Sequence, residues 1–210
     1  MGPMENKLIY KEIAMKILVI DDSRVHQQSA RQTLQGHDLT VVDTYDEAYK
    51  LIQPRIETNR KGQVIPKKEE VATPFDVVLT DLLMPTGSRI QKSKKGNWLA
   101  DPGEFLGPEM PVGFALALNA VLHGAKYVAV VSDGDHHLDP AMAMLDRLGA
   151  YKSGVTRTPV RFEMNGSHVG FFRVQDGDGK IQLEDGTSGK NWGEILDHIL
   201  SAPVTPYMLE

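Results

Sequence analysis

No cysteine occurs anywhere in the chain. Disulfides and thiolate metal sites are therefore excluded, and the composition is consistent with a reducing compartment. Long hydrophobic runs are missing too: no stretch approaches the roughly 20 apolar residues that a membrane-spanning helix needs. Residues 1–14, MGPMENKLIYKEIA, lack the apolar centre of a signal peptide and read as a leader ahead of a second candidate start at Met15. Positive charge is in deficit, with 23 Lys+Arg against 28 Asp+Glu and a net charge of −5. With no basic tail, nothing in that balance calls for nucleic-acid or membrane binding. The expected location is the cytoplasm.

What is present is enough for a substantial core, since 41% of 210 residues are hydrophobic. Ile17, Leu18, Val19 and Ile20 form a short, continuous apolar run that ends on Asp21 and Asp22. A second run, Phe75 to Leu79, ends on Asp81, and a third, KYVAVVSD at 126–133, ends on Ser132 and Asp133. Such runs, rich in β-branched residues, read as strands buried on both faces of a parallel sheet. Residues 24–35 and 46–52 have helical patterning, with LTVVD (39–43) as a strand between them. PVGFALALNAVLHGA (111–125) opens on proline, closes on glycine and is apolar nearly all round, which implies burial at an interface or beneath a loop. Residues 140–149 also read as a helix, PVRFEM (159–164) as a fifth strand, and 168–184 as a hairpin turning at Asp176-Gly177-Asp178-Gly179. Trp192, Ile195, Leu196, Ile199 and Leu200 mark a last amphipathic helix.

This order predicts an α/β fold, a doubly wound five-stranded parallel sheet with an added C-terminal hairpin. The expected organisation is a single domain over 15–210, with insertions at about 53–74, 86–110 and 165–188. The carboxyl ends of strands one, three and four would converge, and in open α/β sheets that edge is where ligands bind. Asp21, Asp22, Asp81, Ser132 and Asp133 would then share one pocket. Crowded carboxylates repel one another unless a cation intervenes, which points to a hard divalent metal, Mg²⁺ or Mn²⁺, held by Asp21, Asp22 and Asp81. A free oxygen of Asp81 could attack a phosphoryl donor, with Ser132 donating a hydrogen bond to the phosphoryl group.

In order and spacing, ILVIDDS, VVLTDLLMP and VAVVSD resemble the receiver domains of bacterial two-component response regulators. The resemblance covers roughly residues 15–150 and includes Met84-Pro85 after the acceptor. It implies a flavodoxin-like sheet of order 2-1-3-4-5, Mg²⁺ at the acid pair Asp21/Asp22, a phosphoacceptor at Asp81 and a sensing hydroxyl at Ser132. It further implies a histidine kinase or phosphotransfer protein as donor, and an output through contacts with a downstream protein. No further, DNA-binding domain is expected on this reading. The chemistry expected is phosphorylation and autodephosphorylation at Asp81 rather than turnover of a separate substrate.

Two features depart from that family. Receivers carry Lys-Pro at the end of strand five, and no Lys-Pro dipeptide occurs in this chain; Arg161 or a lysine of the basic loop (Lys92, Lys94, Lys95) is a candidate substitute. The second is SDGDHHLDP (132–140), which places Asp133, Asp135, His136 and His137 after strand four. The histidines are either ligands of a second metal such as Zn²⁺ or polar loop residues. Two other functions therefore stand beside the signalling protein: a non-phosphorylated pseudo-receiver scaffold, and a metal-dependent hydrolase or phosphotransferase using the Asp/His cluster.

Overall fold

The computed structural model describes residues 14–53, 72–85, 90–92, 98–100, 109–134, 140, 141, 143, 160–174 and 179–201. Strand β1 (Lys16–Ile20) leads through α1 (Arg24–Thr33) to β2 (Asp38–Val42), and α2 (Tyr45–Ile52) precedes β3 (Val77–Asp81). Four short strands follow: β4 (Met84–Pro85), β5 (Ile90–Lys92), β6 (Trp98–Ala100) and β7 (Glu109–Met110). Then come α3 (Val112–Leu122), β8 (Tyr127–Ser132), β9 (Val160–Met164), β10 (Ser167–Arg173), β11 (Lys180–Gln182), β12 (Ser188–Lys190) and α4 (Trp192–Ser201).

The result is a mixed α/β fold around a six-stranded, mostly parallel sheet of order β2-β1-β3-β8-β10-β9. The strands from β2 to β10 in that order run parallel, and β9 pairs antiparallel to β10 at the edge. Alternation along each strand feeds two cores. Leu18, Ile20, Val78, Val128 and Val130 pack with Ala48 and Ile52 of α2 and with Leu116 and Ala120 of α3. Ile17, Val19, Leu79, Ala129 and Val131 pack on the opposite face with Ala30 of α1 and with Trp192, Ile195 and Ile199 of α4. Helices thus cover both faces, and the central strands are mostly apolar because neither side of them meets water, with the polar residues Thr80, Asp81 and Ser132 at their carboxyl ends.

The C-terminal third differs from expectation. Residues 160–164 are the antiparallel edge strand, and the fifth parallel strand is β10, which lies inside the range 165–188 expected to be an insertion. The hairpin of this region joins β9 to β10 through Asn165-Gly166, both at positive φ (53° and 80°), as a two-residue primed turn requires. Asn-Gly supplies the two positive-φ residues that this turn needs, and β10 pairs with β8 and β9 rather than with a strand following Asp176-Gly177-Asp178-Gly179. A separate antiparallel pair, β11 with β12, lies further along the chain than the hairpin expected over 168–184, and Asp176, Gly177 and Asp178 lie outside the described residues.

Residues 54–71 and 144–150 also fall outside them. The 86–110 excursion leaves and returns side by side, because Met84 pairs with Met110 and Pro85 with Glu109. Helix α3 is less covered than its composition predicts: Leu118 and Leu122 are exposed on its outer side. No helix among the described residues is long and apolar enough to cross a membrane.

Candidate acid and lysine site

Ile20 of β1 stands in register with Thr80 of β3, so the next residues, Asp21 and Asp81, leave adjacent strands side by side. Their alternation with Val19 and Leu79 points both toward the face covered by α1 and α4. Oxygens of Asp21, Asp22 and Asp81 lie within 4.8 Å of one another; Asp21 and Asp81 are buried and Asp22 is half-buried. The local backbone is built around these acids. Ser23 N–H donates to Asp21 Oδ1 at 2.9 Å, and Leu82 N–H donates to Asp81 Oδ1 at 2.8 Å. Helix α3 begins against the end of β3, where Gly113 N–H donates to the Leu82 carbonyl at 3.1 Å. A Cβ on Gly113 would fall 2.0 Å from the Asp81 carbonyl oxygen, so only glycine fits that approach.

The cation comes from a place the sequence reading did not consider. Lys190, the last residue of β12, is fully buried, and its ammonium donates to Asp21 Oδ2 and to Asp81 Oδ1, each at 2.8 Å. It lies 3.8 Å from Asp133 Oδ1 and 5.5 Å from the centre of the Trp192 ring. Lys180, its register partner on β11, reaches Asp133 Oδ2 at 3.3 Å. Like charges facing each other across a hairpin repel, and here Asp133 lies against both. His26 of α1 completes the cluster, with Nε2 3.2 Å from Asp133 Oδ2.

Burial pushes the Asp81 carboxyl up to about 7; the Lys190 ammonium pulls against this, while Asp21 and Asp133 reinforce it. Asp22 is also raised, by burial and then by the neighbouring Asp21 charge. For Lys190, burial disfavours the charged form, yet the surrounding Asp21, Asp81 and Asp133 hold it above the ordinary lysine value. Asp133 resists its own burial through the His26 hydrogen bond and the Lys190 charge, and stays well below the usual carboxylate range. One ammonium thus faces Asp21 and Asp81 while Asp22 adds a third acid. The donor set, all carboxylate oxygen, fits a hard divalent cation beside the lysine. Among the described residues, both hydrogen bonds to the Asp81 carboxylate fall on Oδ1, which leaves Oδ2 for a metal or a reacting group.

Of the other expected residues, Ser132 ends β8 as read, buried, with its Oγ accepting from Gly134 N–H at 3.2 Å. Asp135, His136 and His137 lie outside the described residues. Arg161 sits on edge strand β9, paired with Gly170, and among the described residues its Nε has no hydrogen-bond partner. Lys190 stands two residues ahead of α4, in a polar stretch whose own pattern does not mark it as buried. The dipeptide is Lys-Asn because position 191 needs a donor and a cap: Asn191 N–H donates to the Gly179 carbonyl at 2.7 Å, and Asn191 Oδ1 accepts from Glu194 N–H at 3.2 Å. Proline could supply neither.

Comparison with known protein families, with curated proteins and with solved structures finds no match to this chain.

Proposed function

We propose that the protein is a receiver-like signalling module whose phosphoacceptor is Asp81. The single observation that carries this reading is Lys190 Nζ at 2.8 Å from both Asp21 and Asp81. It supplies a cation at the acids although no Lys-Pro dipeptide occurs in the chain. The parallel order β2-β1-β3-β8-β10 supports a flavodoxin-like sheet, in which β10 is the fifth strand and β9 an addition.

In this reading Asp81 Oδ2 attacks the phosphorus of a phosphohistidine on a kinase or phosphotransfer protein. The new O–P bond forms as the P–N bond breaks, and the electron pair leaves with the imidazole nitrogen. Asp21, Asp22 and Asp81 would hold Mg²⁺, which supplies charge neutralisation for the phosphoryl oxygens. Lys190 adds a compact point charge on the same side, and the Ser132 hydroxyl donates to the phosphoryl group. Output passes to a downstream protein in the cytoplasm.

The test is intact-mass analysis after treatment with a small-molecule phosphodonor and Mg²⁺. One phosphoryl adduct that disappears in Asp81→Asn is expected. No adduct in the wild type, under conditions that load an ordinary receiver, would transfer the preference to the scaffold.

A further inference from the structure

We propose that His26 is the residue that positions Lys190 against the acid pair, an inference that rests on the reading of Asp81 and Lys190 above. Among the described residues, Lys190 hangs from a hairpin that pairs with itself alone: β11 and β12 form their own two-stranded sheet, outside the main ladder. Among these residues no strand pairing with β1 or β3 sets how deep the lysine reaches. Helix α1 does this instead, largely through one residue.

The buried His26 makes three contacts with the cluster. Its Nδ1 accepts from Lys190 N–H at 3.3 Å, its carbonyl accepts from Trp192 Nε1–H at 2.9 Å, and its Nε2 faces Asp133 Oδ2 at 3.2 Å. Because Nδ1 is an acceptor, the ring proton sits on Nε2 and is directed at Asp133. Both ring nitrogens are thereby committed, so His26 acts through Lys190 and touches no substrate. One turn further along α1, a Cβ on Gly189 would lie 2.6 Å from Ser29 Cβ, so the backbone of β12 is pressed onto the helix beside the lysine. In a Lys-Pro dipeptide, proline would restrict the backbone of the preceding lysine from within the chain. With Asn191 following Lys190, the restraint comes from outside, through an acceptor on a neighbouring helix.

Two conservative variants separate this role from general support of the fold. In His26→Asn the carboxamide oxygen can stand where Nδ1 stands and keep the Lys190 N–H bonded. In His26→Gln the longer amide can donate to Asp133, as Nε2 does, and leaves Lys190 N–H without its acceptor. The measurement is trace acylation of lysines in the folded, Mg²⁺-free full chain, mapped by peptide mass spectrometry, with the exposed Lys126 as internal reference. Lys190 should be protected in the wild type and in His26→Asn. In His26→Gln its labelling should rise about threefold to tenfold, the scale on which losing a buried hydrogen bond shifts a local opening. Equal protection in both variants, or equal loss in both, overturns the proposal. The phosphoryl adduct is read on parallel, unlabelled samples of the same three proteins with phosphodonor and Mg²⁺, and should form more slowly in His26→Gln alone. A wild type that takes no adduct defeats the Asp81 reading, while the labelling still decides the role of His26.

Discussion

Lys190 and Asp81 are separated by 109 positions in the chain and by 2.8 Å in space. The same ammonium is equally close to Asp21, 169 positions away. Three parts of the chain thus meet at one buried charge: the ends of β1 and β3 and the foot of α4.

Removing that charge should destabilise the protein and make it more dependent on metal. Lys190→Met leaves Asp21 and Asp81 facing each other in a buried site, and breaking a buried ion pair in this way costs about 3–5 kcal/mol. Urea denaturation without divalent ions should show this loss, and millimolar Mg²⁺ should restore more stability to the variant than it adds to the wild type. A variant as stable as the wild type without Mg²⁺ would mean that the lysine does not compensate the acids.

Asp81→Asn should abolish the phosphoryl adduct and weaken Mg²⁺ binding, whereas Ser132→Ala should still form the adduct. Intact mass reads the first effect and calorimetry the second. An adduct that persists in Asp81→Asn would assign the acceptor to another residue.

Mg²⁺ affinity should rise with pH through about 7, because burial holds Asp81 protonated below that point and a protonated carboxyl is a poor ligand. The sign follows from linkage. Between the unfolded value of a carboxyl, about 4, and the folded value of about 7, the native state carries the extra proton, so metal-free stability falls as pH rises through that window. Mg²⁺ should offset the fall at its upper end and release a proton as it binds. Calorimetry in buffers of different ionisation enthalpy measures that proton, and an affinity unchanged from pH 6 to pH 8 would contradict the assignment.

Gly113→Ala should damage the site from the far side of β3. Its Cβ would press on the Asp81 carbonyl and the Leu82 Cα, both backbone atoms that cannot rotate away. A loss of about 1–3 kcal/mol is expected from overpacking of this kind, together with a lower phosphorylation rate. Wild-type stability and rate in this variant would show that α3 does not begin as tightly against the acceptor strand as described.

By itself, the sequence determined the acids and the strands that carry them. Asp21, Asp22, Asp81 and Ser132 each follow a short apolar run that suits a strand buried on both faces, and each stands at the end of its run or just beyond it. Burial leaves a local mark, so β1, β3, β8 and the face of α4 could be read from single stretches. Only the tertiary structure decided which cation meets the acids. Lys190 lies in SGKN, a polar stretch with no periodicity, and its burial comes from α1, β1 and β3 closing around it rather than from any pattern of its own. The same holds for His26, a lone histidine on an amphipathic helix, and for β10, whose parallel partner is fixed by a sheet that no local window contains. Charge compensation is a long-range property: the residue that neutralises an acid is chosen by where the chain returns in space, and spacing along the chain does not record that return.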